Sequence, residues 1–237
     1  MTIVQHLEEL RRVLIISLIA WVSCTVLAFA FHTWLLAVLL HPLLMTLQSG
    51  NHFIKTAIFT SPTEALTIPL QLAAFAGIIL ALPVILWQIW TFIAPGLRPQ
   101  ERKFAGPFIA SALVLFAIGA TFAYFVMPIG LNFLVTFLGS DVEYFPDINQ
   151  YLSFLLLLIL IFGVTFELPV VIVLLGVMRI VSSRWLRDRR KGLWVTIIAA
   201  AIVVTPGADP FTPTLLAVPL IILFELSTLI LAKVFRR

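Results

Sequence analysis

Apolar residues in this chain come in long blocks separated by short polar segments, most of them basic. The first polar run, MTIVQHLEELRR, gives way at once to VLIISLIAWVSCTVLAFAF. A hydrocarbon core about 30 Å thick takes roughly 20 apolar residues in a helix. Blocks 13–31, 69–92, 107–127 and 151–178 reach that length, and two weaker ones follow at 192–204 and 215–231. The block 192–204 spans only about 20 Å at 1.5 Å per residue. It is therefore either a re-entrant segment or a crossing around which the bilayer thins. The pattern predicts an all-α integral membrane protein of six transmembrane helices, the fifth and sixth short. The first block, about 19 residues, exceeds the apolar core of a cleaved signal peptide and reads as a retained helix.

Charge orients these helices. The tail 1–12 carries Arg11 and Arg12, and the connection 93–106 carries Arg98, Arg102 and Lys103. Residues 179–191 hold Arg179, Arg184, Arg187, Arg189, Arg190 and Lys191, and the tail 232–237 holds Lys233, Arg236 and Arg237. Of the 15 Lys and Arg residues, this leaves only Lys55 for the opposite side. The positive-inside rule then places both termini in the cytoplasm, with 32–68, 128–150 and 205–214 as outer connections. Composition agrees: 62% of residues are hydrophobic and 11% charged, and the mean hydropathy is +1.13. The pI near 9.6 does not indicate nucleic acid, because the basic residues form no binding motif and alternate with apolar blocks. Cys24 is the one cysteine, so no intrachain disulfide forms.

The outer connection 32–68 is partly apolar (WLLAVLLHPLLMTL), as expected of amphipathic pieces lying at the interface. Ser61-Pro62-Thr63-Glu64 reads as a capping box with proline at the first helical position, and Asp147-Ile148-Asn149-Gln150 as a second helix start. No protease, hydrolase or nucleotide-binding motif occurs, so no catalytic activity is expected. His6, His32, His41 and His52 lack metal-site spacing, and no cofactor is expected. Two carboxylates fall inside apolar blocks, Glu167 two residues before Pro169, and Glu225. Charge at mid-bilayer costs about 2.5 kcal/mol or more, so each should face protein or a wet cavity. Each is either a packing contact or a polar point on a transport path, and Pro169 frees backbone carbonyls beside Glu167. Near the N-terminus, Glu8 and Glu9 can both pair with Arg12 along one helix. Ile3, Leu7, Leu10 and Leu14 form an apolar stripe that leaves both carboxylates on its polar flank.

HLEELRR, SPTEALTIPL and PVILWQIWTFIAPGLRPQERK resemble TatC, the polytopic subunit of the twin-arginine protein translocase. GATFAYFVMP, YLSFLLLLILIFGVTFELPVVIVLL and TPTLLAVPLIILFEL, in order from about residue 6 to about residue 230, are similar too. The resemblance implies a six-helix concave glove in a prokaryotic cytoplasmic membrane. Its expected role is a receptor and scaffold for folded cargo bearing a signal peptide with two consecutive arginines. Carried over by motif, Glu9, Arg11, Phe92, Pro95 and Glu101 would bind that signal. Glu167 would be the intramembrane glutamate, and Glu225, Pro83 and Asp209 also match. The loop TPGADPFTP around Asp209 is longer and richer in glycine and proline than the family's short turn. Implied partners are small single-span subunits of the TatA and TatB type, further copies of the chain, and membrane lipid, with the proton-motive force driving transport. The alternative from another class is a proton-coupled small-solute transporter using Glu167, which the lack of an inverted repeat disfavours.

Overall fold

The computed structural model describes residues 3–49, 58, 60–97, 100, 102–137, 146–205 and 211–233. Of the residues named above, His52, Lys55, Arg98, Glu101, Asp209, Arg236 and Arg237 lie outside them. Nearly all of the described chain is helical: α1 (Ile3–Phe29), α2 (His32–Ser49), α3 (Glu64–Ile93), α4 (Ala105–Phe137), α5 (Ile148–Thr165), α6 (Leu168–Val177), α7 (Ser183–Asp188), α8 (Arg190–Val204) and α9 (Phe211–Lys233). The one extended contact among the described residues is a parallel bridge between Ile58 and Asp147.

Among the described residues, five stretches are long and apolar enough to cross a bilayer: Val4–Phe29, Glu64–Gly96, Ala105–Phe133, Ile148–Val177 and Thr212–Lys233. Helix α8, with 15 residues, covers about 22 Å and is short as expected. The last helix is not: α9 has 23 residues, about 34 Å. It begins before the apolar block, because Pro213 sits in the first turn, where helices tolerate a missing N–H. At the other end Lys233 extends it, with a cation in the last turn that the helix dipole favours.

The chain divides into two compact units, Met1–Ile109 with Met127–Leu156, and Ala110–Val126 with Leu157–Arg237. In the first unit α1 packs along α3. The Trp21 indole Nε1–H donates to the Ala74 carbonyl at 2.9 Å, and the Thr25 hydroxyl donates to the Trp21 carbonyl. Gly77 of α3 makes this approach possible, since a Cβ there would lie 2.8 Å from the Thr25 backbone nitrogen. Close backbone contact through small residues is how helices gain packing energy in lipid, where apolar side chains have no water to leave. The apolar stripe expected on α1 is not its packed face. Leu7 and Leu14 are each 59% exposed, whereas Val13 is buried.

The start of α5 closes onto α2 and α3 in this unit, with the Tyr151 hydroxyl donating to the Leu39 carbonyl and Gln71 to the Ser153 hydroxyl. The second unit is built on aromatic packing. Phe162 of α5 is fully buried and contacts the Phe122 ring of α4 at 5.5 Å. Gly119 lets the two helices touch, since its Cβ would lie 2.6 Å from the Phe162 carbonyl oxygen. Helices α6, α7 and α8 each pack on α9.

Candidate functional site

At one end of the first unit, the start of α1 meets the end of α3. The His6 ring stacks on Phe92, centroids 4.4 Å apart and planes at 22°. Beyond Phe92 and Ile93, α3 tightens into a 3₁₀ turn, Ala94–Gly96, with the half-buried Pro95 at its centre. The turn closes as the Leu97 N–H donates to the Ala94 carbonyl, and Leu97 is buried.

His6, Glu9 and Val13 are spaced three and four residues apart, so they share one face of α1. That face is the packed one: Val13 is buried, and Glu9 is half-buried. The Oε2 atom of Glu9 is buried and has no hydrogen-bond partner among the described residues. Glu8, one residue earlier, points elsewhere. It is exposed and lines an open hollow of about 380 Å³ with Arg11, Arg12, Ile15 and Ile16. The expected Glu8–Arg12 ion pair is not formed. The carboxylate and the guanidinium do not come within bonding distance of each other, and both side chains are exposed, where water solvates each charge at little cost. The structure thus brings Glu9, Arg11, Phe92 and Pro95 to one end of the unit. Glu101 lies outside the described residues. His6, read from the sequence only as one histidine among four, is the residue that joins α1 to Phe92.

The opposite end of α3 is polar in a different way. The Glu64 carboxylate reaches back as in a capping box, but to Thr60 rather than Ser61. Its Oε2 accepts the Thr60 N–H at 3.2 Å, while the Ser61 hydroxyl bonds to that of Thr63. Thr60 Oγ1 lies 3.1 Å from Glu64 Oε1 and 2.8 Å from Asp147 Oδ2, and its single hydrogen serves one of them at a time. Asp147 caps α5 as expected, its Oδ1 accepting the Gln150 N–H at 2.8 Å. That backbone bond first, and the Thr60 hydroxyl second, lower the Asp147 pKa below its ordinary value.

Three further expected positions lie within the apolar helices. Pro83 sits inside α3 and is exposed; its missing N–H withdraws one helical bond. Glu167 occupies a break, since α5 stops at Thr165 and α6 starts at Leu168 with the buried Pro169 in its first turn. Its side chain does not cap α6, and its Oε1 is buried without a hydrogen-bond partner among the described residues. Glu225 is different. Arg190 Nε donates to its Oε1 at 2.5 Å, and the Trp194 indole donates to the same oxygen at 3.0 Å. The Arg190 guanidinium also lies 5.0 Å from the centre of the Trp194 ring. Glu225 is therefore a packing contact between α8 and α9, the blander of its two sequence readings. Among the described residues, no group of three His, Cys, Asp or Glu side chains is arranged to hold a metal ion.

A helical, multi-pass membrane architecture, with polar groups at helix ends and Glu167 unpaired among the described residues at a helix break, is the class of protein that the fold defines. The sequence profile of the TatC family, Sec-independent protein translocase protein, matches residues 5–219. The chain belongs to the TatC family. It is 40% identical over 231 residues to the Sec-independent protein translocase protein TatC of Carboxydothermus hydrogenoformans, covering 97% of this chain and 92% of that one. The TatC of Escherichia coli is 38% identical over 226 residues, covering 95% and 86%. The fold is similar to a crystal structure described as the twin arginine translocase receptor TatC, with a TM-score of 0.82 and 34% identity over 95% of this chain and 99% of that one. The chain is thus a protein translocase component of the Sec-independent pathway and not an enzyme, which displaces the solute-transporter alternative.

Proposed function

We propose that the chain is the receptor and scaffold subunit that binds twin-arginine signal peptides of folded proteins and nucleates their export. The observation that carries this reading is the Glu9 carboxylate, with an oxygen that is buried and unpaired among the described residues. A buried carboxylate oxygen without a donor is costly, and a guanidinium satisfies it through two parallel charge-assisted bonds that lysine cannot reproduce. Glu101, on the connection after α3, supplies the second carboxylate, so that two arginines are required rather than general positive charge. Arg11 and Arg102 compete with the signal peptide for these carboxylates. The arginine contact is accordingly weak until the signal's apolar stretch also binds along the helices.

In this reading both termini face the cytoplasm of a prokaryote, and α8 is the fifth crossing. Small single-span subunits of the TatA and TatB type and further copies of the chain complete the assembly, and the proton-motive force drives transport. Glu167, unpaired among the described residues at the α5–α6 break, is the polar point within the membrane. The test is photo-crosslinking from positions 12 and 100 to a twin-arginine signal peptide. Glu9→Ala and Glu101→Ala should each lower crosslinking about ten-fold or more, the scale of one lost charged contact, and a Lys-Lys signal should do the same to the native chain. Retention of both crosslinking and export in the two variants would refute the receptor reading.

A further inference from the structure

The segment from Arg179 to Lys191 holds more positive charge than its own structure uses. Arg190 is bound to Glu225. Arg179, Arg184, Arg187, Arg189 and Lys191 are exposed, and none of them forms an ion pair with a carboxylate among the described residues. The one acidic residue of the segment, Asp188, is exposed too.

The backbone fixes where this charge points. Helix α6 ends with Arg179 in the left-handed conformation, φ 63°, and the Ile180 N–H returns to the Leu175 carbonyl at 3.0 Å. This reversal leaves Ile180 63% exposed. Ser182 then caps α7, its hydroxyl accepting the Trp185 N–H. Helix α7 buries Ser183 and Leu186 and packs on α9, so its outer face carries Arg184, Trp185 and Arg187. The Arg189 guanidinium lies 5.1 Å from the centre of the Trp185 ring. Immediately beyond, the outward residues of α8 become apolar, with Val195 at 67% exposed and Ile202 at 59%.

A charged band with an indole, followed directly along the chain by a helix with exposed apolar residues, matches an amphiphile: phosphate at the band and acyl chain along α8. Basic clusters beside a membrane helix attract anionic lipid headgroups, and indole rings settle at that level. The shortness of α8 strengthens the match, because a helix of about 22 Å draws the headgroups inward around it. We infer that the outer face of α7 and the start of α8 form a binding site for an anionic phospholipid, whose phosphate is held by Arg184, Arg187 and Arg189 and whose acyl chain lies against α8. Charge that only oriented the helices during insertion would serve equally with any lipid.

The test is native mass spectrometry of the full chain released from detergent containing phosphatidylglycerol or phosphatidylcholine. The native chain should retain phosphatidylglycerol in preference, and an R184Q/R187Q/R189Q variant should bind it about ten-fold more weakly or worse while holding phosphatidylcholine unchanged. Circular dichroism and thermal unfolding establish that the variant is folded. If it does not fold, the native chain decides alone. Raising salt to about 0.5 M should then release phosphatidylglycerol and leave phosphatidylcholine bound. Equal retention of the two lipids by the native chain, or native-like phosphatidylglycerol binding by a folded variant, would overturn the site. Displacement by inorganic phosphate at constant ionic strength, with no dependence on the acyl chain, would assign the band to free anions and equally overturn it.

Discussion

Asp147 uses both of its oxygens, one for the Gln150 N–H and one for the Thr60 hydroxyl, and both bonds favour its charged form. Its native pKa is therefore lowered, and the sign of the pH effect follows. The stabilisation is fully present above the unfolded value of about 3.9 and is lost as pH falls through the lower native value. Thermal unfolding of the detergent-solubilised chain should show a midpoint that drops below about pH 4, and Asp147→Asn should flatten part of that drop while keeping the cap. Asp147→Ala should cost about 1 kcal/mol at neutral pH by removing the cap altogether. The capping role was legible because the spacing Asp147 to Gln150 is local. The bond to Thr60 was not, since 87 residues separate them. Glu8 and Glu9 show the same division. Their periodicity assigned them to one polar flank, because it took the apolar stripe to be the packed face. Leu7, Leu10 and Leu14 are instead exposed, and the side of α1 holding His6, Glu9 and Val13 is the one that packs.

At the scale of elements, the α8–α9 contact depends on one ion pair with unequal partners. Glu225 is 27% exposed and Arg190 51% exposed, so the carboxylate depends more on the pair than the guanidinium does. Arg190→Gln leaves a partly buried anion with only the Trp194 indole, and should cost about 2–3 kcal/mol. Glu225→Gln keeps an acceptor for Trp194 and leaves the arginine free to reach water, so about 1 kcal/mol is expected. Thermal unfolding of the two variants checks the order, and equal losses would show that the exposure difference has no energetic consequence. Nothing in the sequence pairs these residues. Glu225 appears as a charge in an apolar block and Arg190 as one of six basic residues in a connection, and only the antiparallel return of α9 along α8 joins them. The end of α5 was more legible, because Pro169 removes a helical donor wherever it stands. The break falls just before it, at Phe166 and Glu167.

For the molecule as a whole, the unequal lengths of the helices decide the topology. Four of the five long stretches among the described residues have 26 residues or more and Thr212–Lys233 has 22, so each is long enough to cross a bilayer core unaided. Helix α8 has 15 and leaves a deficit of several ångströms against a core of about 30 Å. If α8 crosses, its two ends lie on opposite sides and the surrounding lipid thins to meet them. If it is re-entrant, both ends lie on one side, α9 runs in the other direction, and the two chain termini are separated by the membrane. Basic residues at 179–191 and again at 233–237 favour a crossing, since each cluster resists translocation. A C24A background with single cysteines at Lys191, Val204 or Arg237, probed in intact cells and in inverted vesicles with a membrane-impermeant maleimide, separates the two cases. K191C and R237C should label only from the cytoplasmic side and V204C only from the outside. Labelling of V204C from the same side as K191C would make α8 re-entrant and reduce the crossings to five.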